Sequence, residues 1–159
     1  PPLATAAPPP LDEQSKLMKQ APKHVDVSSD ADKAYLAKWE VCVVQAEWHR
    51  HVSDKLVAHI SRTLSENYGI SRVHREFAPG SFELPRVIQH LSKSKYAGRK
   101  IVFIAVGVLV KGDTDHYDLV ARETTANILR LQLDSQLWIV NAVLGCHNMT
   151  QVEERCDPS

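Results

Sequence analysis

The sequence predicts an α/β protein, a three-layer sandwich with a central, mostly parallel four-stranded sheet flanked by helices. Three observations carry that expectation. Apolar runs of strand length, "WEVCVVQA", "KIVFIAVGVLV" and "LWIVNAVL", alternate with stretches of helical periodicity. These runs are mostly apolar, as strands covered on both faces are, and short connections between strand and helix call for parallel pairing. With 159 residues, 43% of them hydrophobic, the chain suits one domain with a real core and is short for two.

Residues 1 to about 35 read as an arm, flexible or packed on a neighbour, ahead of an α/β domain over 36–159. Pro1, Pro2, Pro8, Pro9 and Pro10 prevent a sustained helix, and the start lacks the charged and apolar blocks of a secretory signal. "LDEQSKLMKQ" has the makings of a helical turn or two before Pro22 stops it. The first strand, "WEVCVVQA", leads into "SDKLVAHISRTLSENYG", where Leu56, Val57, Ile60 and Leu64 form one stripe. Ser53 is the expected N-cap of that helix and Gly69 its C-terminal stop.

"SRVHREFA" alternates Val73, Arg75 and Phe77 against His74, Glu76 and Ala78, the pattern of an edge strand. "APGSFELPRVIQHL" turns at Pro79 and Gly80 and starts a helix near Pro85, with Leu84, Val87, Ile88 and Leu91 at core spacing. "KIVFIAVGVLV" is the central strand, followed after Asp113 by a long helix through "HYDLVARETTANILRLQL". A last strand, "LWIVNAVL", precedes a helix at "TQVEER", with Thr150 and Glu153 spaced as a capping box.

Composition narrows the function. Formal net charge is zero and the cations are spread along the chain, so no basic field exists to attract nucleic acid. Cys42, Cys146 and Cys156 lack metal or disulfide spacing, which fits a reducing compartment. No apolar stretch reaches the roughly 18 residues needed to span a bilayer. A cytoplasmic protein without membrane or nucleic-acid partners is expected.

Three stretches at expected carboxyl ends of strands, "EWHRH", "APGSFE" and "VKGDTDH", carry residues that packing does not require. That is where open α/β sheets place ligands. Each has an ordinary structural explanation when taken alone. Trp48 could cap the sheet, and His49 and His116 could face solvent. Glu83 could serve a helix dipole, and Gly112, Asp113 and Thr114 could be strand-to-helix punctuation. The alternative for the last three is an anion site, in which glycine lets a phosphate approach the backbone and Thr114 adds a hydroxyl to unpaired helix N–H groups. Asp113 would then contribute only its N–H, with its carboxylate turned away.

In this order and spacing the stretches resemble the lumazine synthase family, of the fungal and plant kind, from about Trp39 to Arg155. "APGSFELP" is close to V-P-G-[AS]-[FY]-E-[IL]-P, "GVLVKGDTDHYD" to G-x-[VL]-I-[RK]-G-x-T-x-H-[FY], and "NMTQVEER" to E-Q-A-x-x-R. The resemblance implies a flavodoxin-like sheet. It also implies condensation of 5-amino-6-ribitylaminouracil with 3,4-dihydroxy-2-butanone 4-phosphate in riboflavin biosynthesis, without metal or organic cofactor. By motif position Trp48 would stack on the pyrimidine beside His49, and Ser81, Phe82 and Glu83 would bind the ribityl chain. Leu109 and Val110 would contribute main-chain contacts. Gly112, Asp113, Thr114 and Arg155 would hold the phosphate, and His116 would move protons.

The resemblance further implies a homopentamer, in some members a larger shell, with Asn141 and Arg155 completing a neighbour's site. This sequence departs from the family at His49, Asn141 and Ala78. After Arg155 the family continues through a Lys-Gly segment into a final amphipathic helix, where only "CDPS" stands here, so an incomplete, C-terminally truncated sequence is expected. The competing readings are a weak or inactive ring-forming subunit and a flavodoxin-like small-ligand module.

Overall fold

The computed structural model describes residues 29–156, so the proline-rich start and the possible turns at residues 11–20 lie outside the described residues. In chain order the elements are α1 (Asp30–Leu36), β1 (Glu40–Ala46), α2 (Arg50–Tyr68), β2 (Val73–Ala78) and a 3₁₀ turn (Ser81–Glu83). There follow α3 (Leu84–Lys93), β3 (Ile101–Val110), α4 (His116–Ser135), β4 (Trp138–Cys146) and α5 (Met149–Cys156). Helix α1, within the stretch read as an arm, was not anticipated. Ser29 caps it by accepting from Asp32 N at 3.1 Å, and Leu36 packs on the core beside Val41 and Ile70.

All strand pairs are parallel, in the order β2-β1-β3-β4, which makes β2 an edge as its alternation predicted. The two faces of the sheet carry separate cores. Cys42, Val44, Phe103 and Ala105 pack under Leu84, Ile88, Ile128 and Leu131 of α3 and α4. Val41, Val43, Ile104 and Val106 pack under Val57 of α2, while Val108 and Cys146 meet Val152 and Cys156 of α5. Burying one such aliphatic side chain stabilises by about 1.5–3 kcal/mol. The predicted three-layer α/β sandwich is the observed architecture.

Two helix starts differ from the sequence reading. Helix α2 begins at Arg50, and its N-cap position is His49 in the left-handed region at φ 58, with no side-chain cap. Ser53 is therefore inside the helix and buried, where its hydroxyl accepts from the side-chain amide of Gln45 at 2.6 Å. The buried Gln45 needs a partner, and that tertiary demand overrides the local capping preference. Helix α5 begins at Met149: Asn148 Oδ1 accepts from Gln151 N at 3.0 Å, and Gln151 Oε1 accepts from His147 N at 2.8 Å. Asn148 and Gln151 have the same spacing as Thr150 and Glu153, so they displace the predicted box. Gly69 ends α2 as expected, at φ 67.

The chain leaves β1 toward β2 on one side and reaches β3 and β4 on the other, which makes the β1/β3 border the switch point of the sheet. Ligands collect outside the carboxyl ends of strands at such a border, where two loops diverge and leave a crevice. Among the described residues no helix is long and apolar enough to cross a membrane.

Candidate active site

At that border lies a cleft of about 560 Å³. Trp48 and His49 enter it from the end of β1, Gly80, Ser81, Phe82 and Glu83 from the end of β2, and Val108, Leu109 and Val110 from β3. His116 and Val120, one turn apart on α4, close it. Trp48 is 72% exposed, so it does not serve as a buried cap on the sheet. Phe82 is 55% exposed, and the two rings offer apolar surface to whatever enters.

Close backbone packing sets the wall formed by the 3₁₀ turn. A Cβ on Gly107 in β3 would lie 2.4 Å from Ser81 Oγ and 3.4 Å from Leu84 Cδ1, so only glycine lets the turn sit against the strand. A Cβ on Gly80 would lie 2.9 Å from Glu83 Oε2 and 3.5 Å from Trp48 Cδ1. The bare backbone thus lets the carboxylate and the indole approach each other. Ser81 is 4% exposed, and its hydroxyl has no hydrogen-bond partner among the described residues.

The loop Gly112–Thr114 is exposed beside this cleft and does not line it. Among the described residues, its chain neighbours aside, nothing lies within 4 Å of where a Gly112 Cβ would be. Thr114 Oγ1 accepts from His116 N at 3.4 Å, and Asp115, the N-cap of α4, makes no side-chain cap. The Lys111 ammonium pairs with Asp118 at 3.2 Å. Arg155 is exposed on α5, its guanidinium donating to Gln151 O at 2.8 Å. It lies close enough to β4 to act on Cys146, whose thiol burial pushes up and the Arg155 cation draws back down. Asn141 is exposed in β4, its Oδ1 accepting from Val143 N at 3.0 Å.

One chain therefore brings together Trp48, His49, Ser81, Phe82, Glu83, Leu109, Val110 and His116, and leaves Gly112, Asp113, Thr114, Asn141 and Arg155 off the cleft wall. Sequence reasoning passed over Val108, Val120 and Gly107. Val120 carried a signal, because it stands four residues after His116 on the same helical face. Gly107 carried one as a glycine in the middle of the apolar run "IVFIAVGVLV". Val108 carried none, being one apolar residue in an apolar run.

Residues 38–159 match the model of a family described as 6,7-dimethyl-8-ribityllumazine synthase. The 6,7-dimethyl-8-ribityllumazine synthase of a Nocardioides species is 35% identical over 115 residues, which cover 72% of this chain and 68% of that protein. The enzyme of the same name from a Polaromonas species is 34% identical over 129 residues, 78% of this chain and 79% of the relative. That of Neisseria meningitidis is 32% identical over 117 residues, 72% of each. The family match over 38–159 spans all four strands and the cleft they form, and the chain belongs to the 6,7-dimethyl-8-ribityllumazine synthase family.

Proposed function

We propose that this chain condenses 5-amino-6-(D-ribitylamino)uracil with 3,4-dihydroxy-2-butanone 4-phosphate to give 6,7-dimethyl-8-ribityllumazine, a step of riboflavin biosynthesis. The observation that carries this reading is the convergence of Gly80–Glu83 with Leu109, Val110 and His116 on one cleft beside an exposed tryptophan in a member of this family. The substrate amine attacks the ketone, and water leaves as the imine forms. Phosphate is then eliminated, and closure of the second ring releases another water.

The division of labour follows from position. Trp48 stacks on the pyrimidine, with His49 beside it and the backbone of Leu109 and Val110 at its edge. Ser81, with its free hydroxyl, Phe82 and Glu83 take the ribityl chain, whose hydroxyls suit a carboxylate acceptor. The uncapped start of α4 and the open backbone at Gly112 receive the phosphate near Asp113 N–H and Thr114. His116 stands between phosphate and ring, where it can pass the protons that imine formation and elimination require.

Asn141 and Arg155 stand off the cleft of their own chain and serve the cleft of an adjacent copy in a homopentamer. Exposed Leu119, Leu129 and Leu133 on α4, together with Trp138 and Val140 on β4, are apolar surface of the kind a partner buries. The test is direct. Purified protein mixed with both substrates should develop the product's fluorescence and release one phosphate per lumazine. An assembled protein that forms neither product removes the enzyme reading and leaves a ring-forming subunit.

A further inference from the structure

Gln45 is a fully buried polar residue in β1. Its amide nitrogen donates to Ser53 Oγ at 2.6 Å and to Asp54 Oδ1 at 3.1 Å, both on α2. Its carbonyl oxygen accepts from Arg75 Nε at 2.9 Å and from Arg75 Nη2, on β2. Arg75 Nη2 also donates to Asp54 Oδ1, closing the ring. Both N–H groups and both lone pairs of one amide are thus used in tying three elements together. Above them the guanidinium groups of Arg50 and Arg75 lie 4.4 and 5.2 Å from the Phe77 ring, and Arg50 pairs with Glu47 at 3.6 Å and Asp54 at 3.7 Å.

Between Gln45 and Ser53 the chain passes through Trp48 and His49, which line the cleft. His49 holds a left-handed backbone at φ 58, a conformation that a residue with a side chain keeps only when its surroundings impose it. Neither Gln45 nor Arg75 lines the cleft, so neither touches what enters it. We propose that Gln45 and Arg75 are positioning residues that clamp both ends of the Glu47–His49 connection and so set Trp48 and His49 for the ring of the pyrimidine substrate. The inference rests on the reading of Trp48 as the stacking surface.

Gln45→Met and Arg75→Met keep bulk and remove the hydrogen bonds, and Arg75→Met leaves the inner half of the network in place. Both should raise KM for the diaminouracil about tenfold while leaving kcat and KM for the butanone phosphate within about twofold. Trypsin should cut after Arg50, at the released start of α2, on the order of tenfold faster than in the parent protein. Arg75→Lys, which keeps one donor, should fall between. Tyr96→Phe removes a partly buried hydrogen bond to Glu76, 2.7 Å long, on the opposite face of the sheet, and should lower the unfolding midpoint without either change.

Unchanged KM and unchanged cleavage in folded Gln45→Met or Arg75→Met would overturn the clamp, as would an equal loss for both substrates matched by Tyr96→Phe. If the parent protein makes no product, the enzyme reading falls on that result alone. The cleavage comparison then still decides whether the network holds the connection.

Discussion

His116 occupies the first position of α4 with its side chain on the cleft and little packing around it. A residue so placed can be removed without opening the core, which separates its chemistry from its contribution to folding. His116→Ala should keep the unfolding free energy within about 0.5 kcal/mol of the parent, as for other surface changes. It should lower kcat by about 10²–10⁴, the usual worth of a positioned acid–base group. Steady-state rates with both substrates saturating are the check, and an unchanged kcat would show that water or another group carries the protons. At this scale the sequence pointed to some residues that share the cleft and to others, such as Gly112 and Thr114, that do not line it. Trp48, Phe82 and His116 all stand in the cleft. It was silent on Gln45, because a glutamine inside an apolar run reveals neither its burial nor the Arg75 that satisfies it from another strand.

The strand and helix pattern was legible, since two periodicities, continuous apolar runs and a 3.6-residue stripe, are written locally. Helix starts were less so. Capping is worth about 1 kcal/mol, and competing residues such as Ser53 against His49, or Thr150 against Asn148, differ by less than one tertiary contact. Gly107 shows how an element's packing reaches the site. Gly107→Ala places a methyl where Ser81 Oγ stands and should destabilise by about 1–3 kcal/mol, the range for overpacking. It should also push the 3₁₀ turn outward and weaken binding of the ribityl substrate. Adding Ser81→Ala should recover part of the stability, because the closest contact is to the hydroxyl. Denaturant unfolding of the single and double variants measures both effects, and a Gly107→Ala protein as stable as the parent would contradict the packing account.

For the whole molecule, the proposed ring would give a single chain most of one site and part of another. His116 lies on the cleft wall and Arg155 does not, so in the proposed ring a working site joins His116 of one copy to Arg155 of the next. Arg155→Ala should weaken inorganic phosphate and the butanone phosphate about tenfold to a hundredfold, the loss of a charge-assisted hydrogen bond worth about 1.5–3 kcal/mol. Mixed rings then offer a sharper test. Co-assembled in equal amounts, the His116→Ala and Arg155→Ala chains should regain about a quarter of the parent activity, because random placement around a ring reunites both residues in that share of sites. Activity no greater than the mean of the two separate variants would place Arg155 and His116 in the same chain's site or in none.

The sequence by itself determined the layers and the parallel pairing, and it pointed to three segments as candidates for the chemistry. Those depend on periodicity, turn residues and motif spacing within short windows. Only the tertiary structure decided which segments meet. The switch point between β1 and β3 sets the ends of three strands around one cleft, Gly107 admits the turn that walls it, and the Gln45 network anchors the connection bearing Trp48. Each of these joins residues roughly 8 to 30 positions apart or more, and such pairings become visible only when the sheet has fixed which backbones lie side by side.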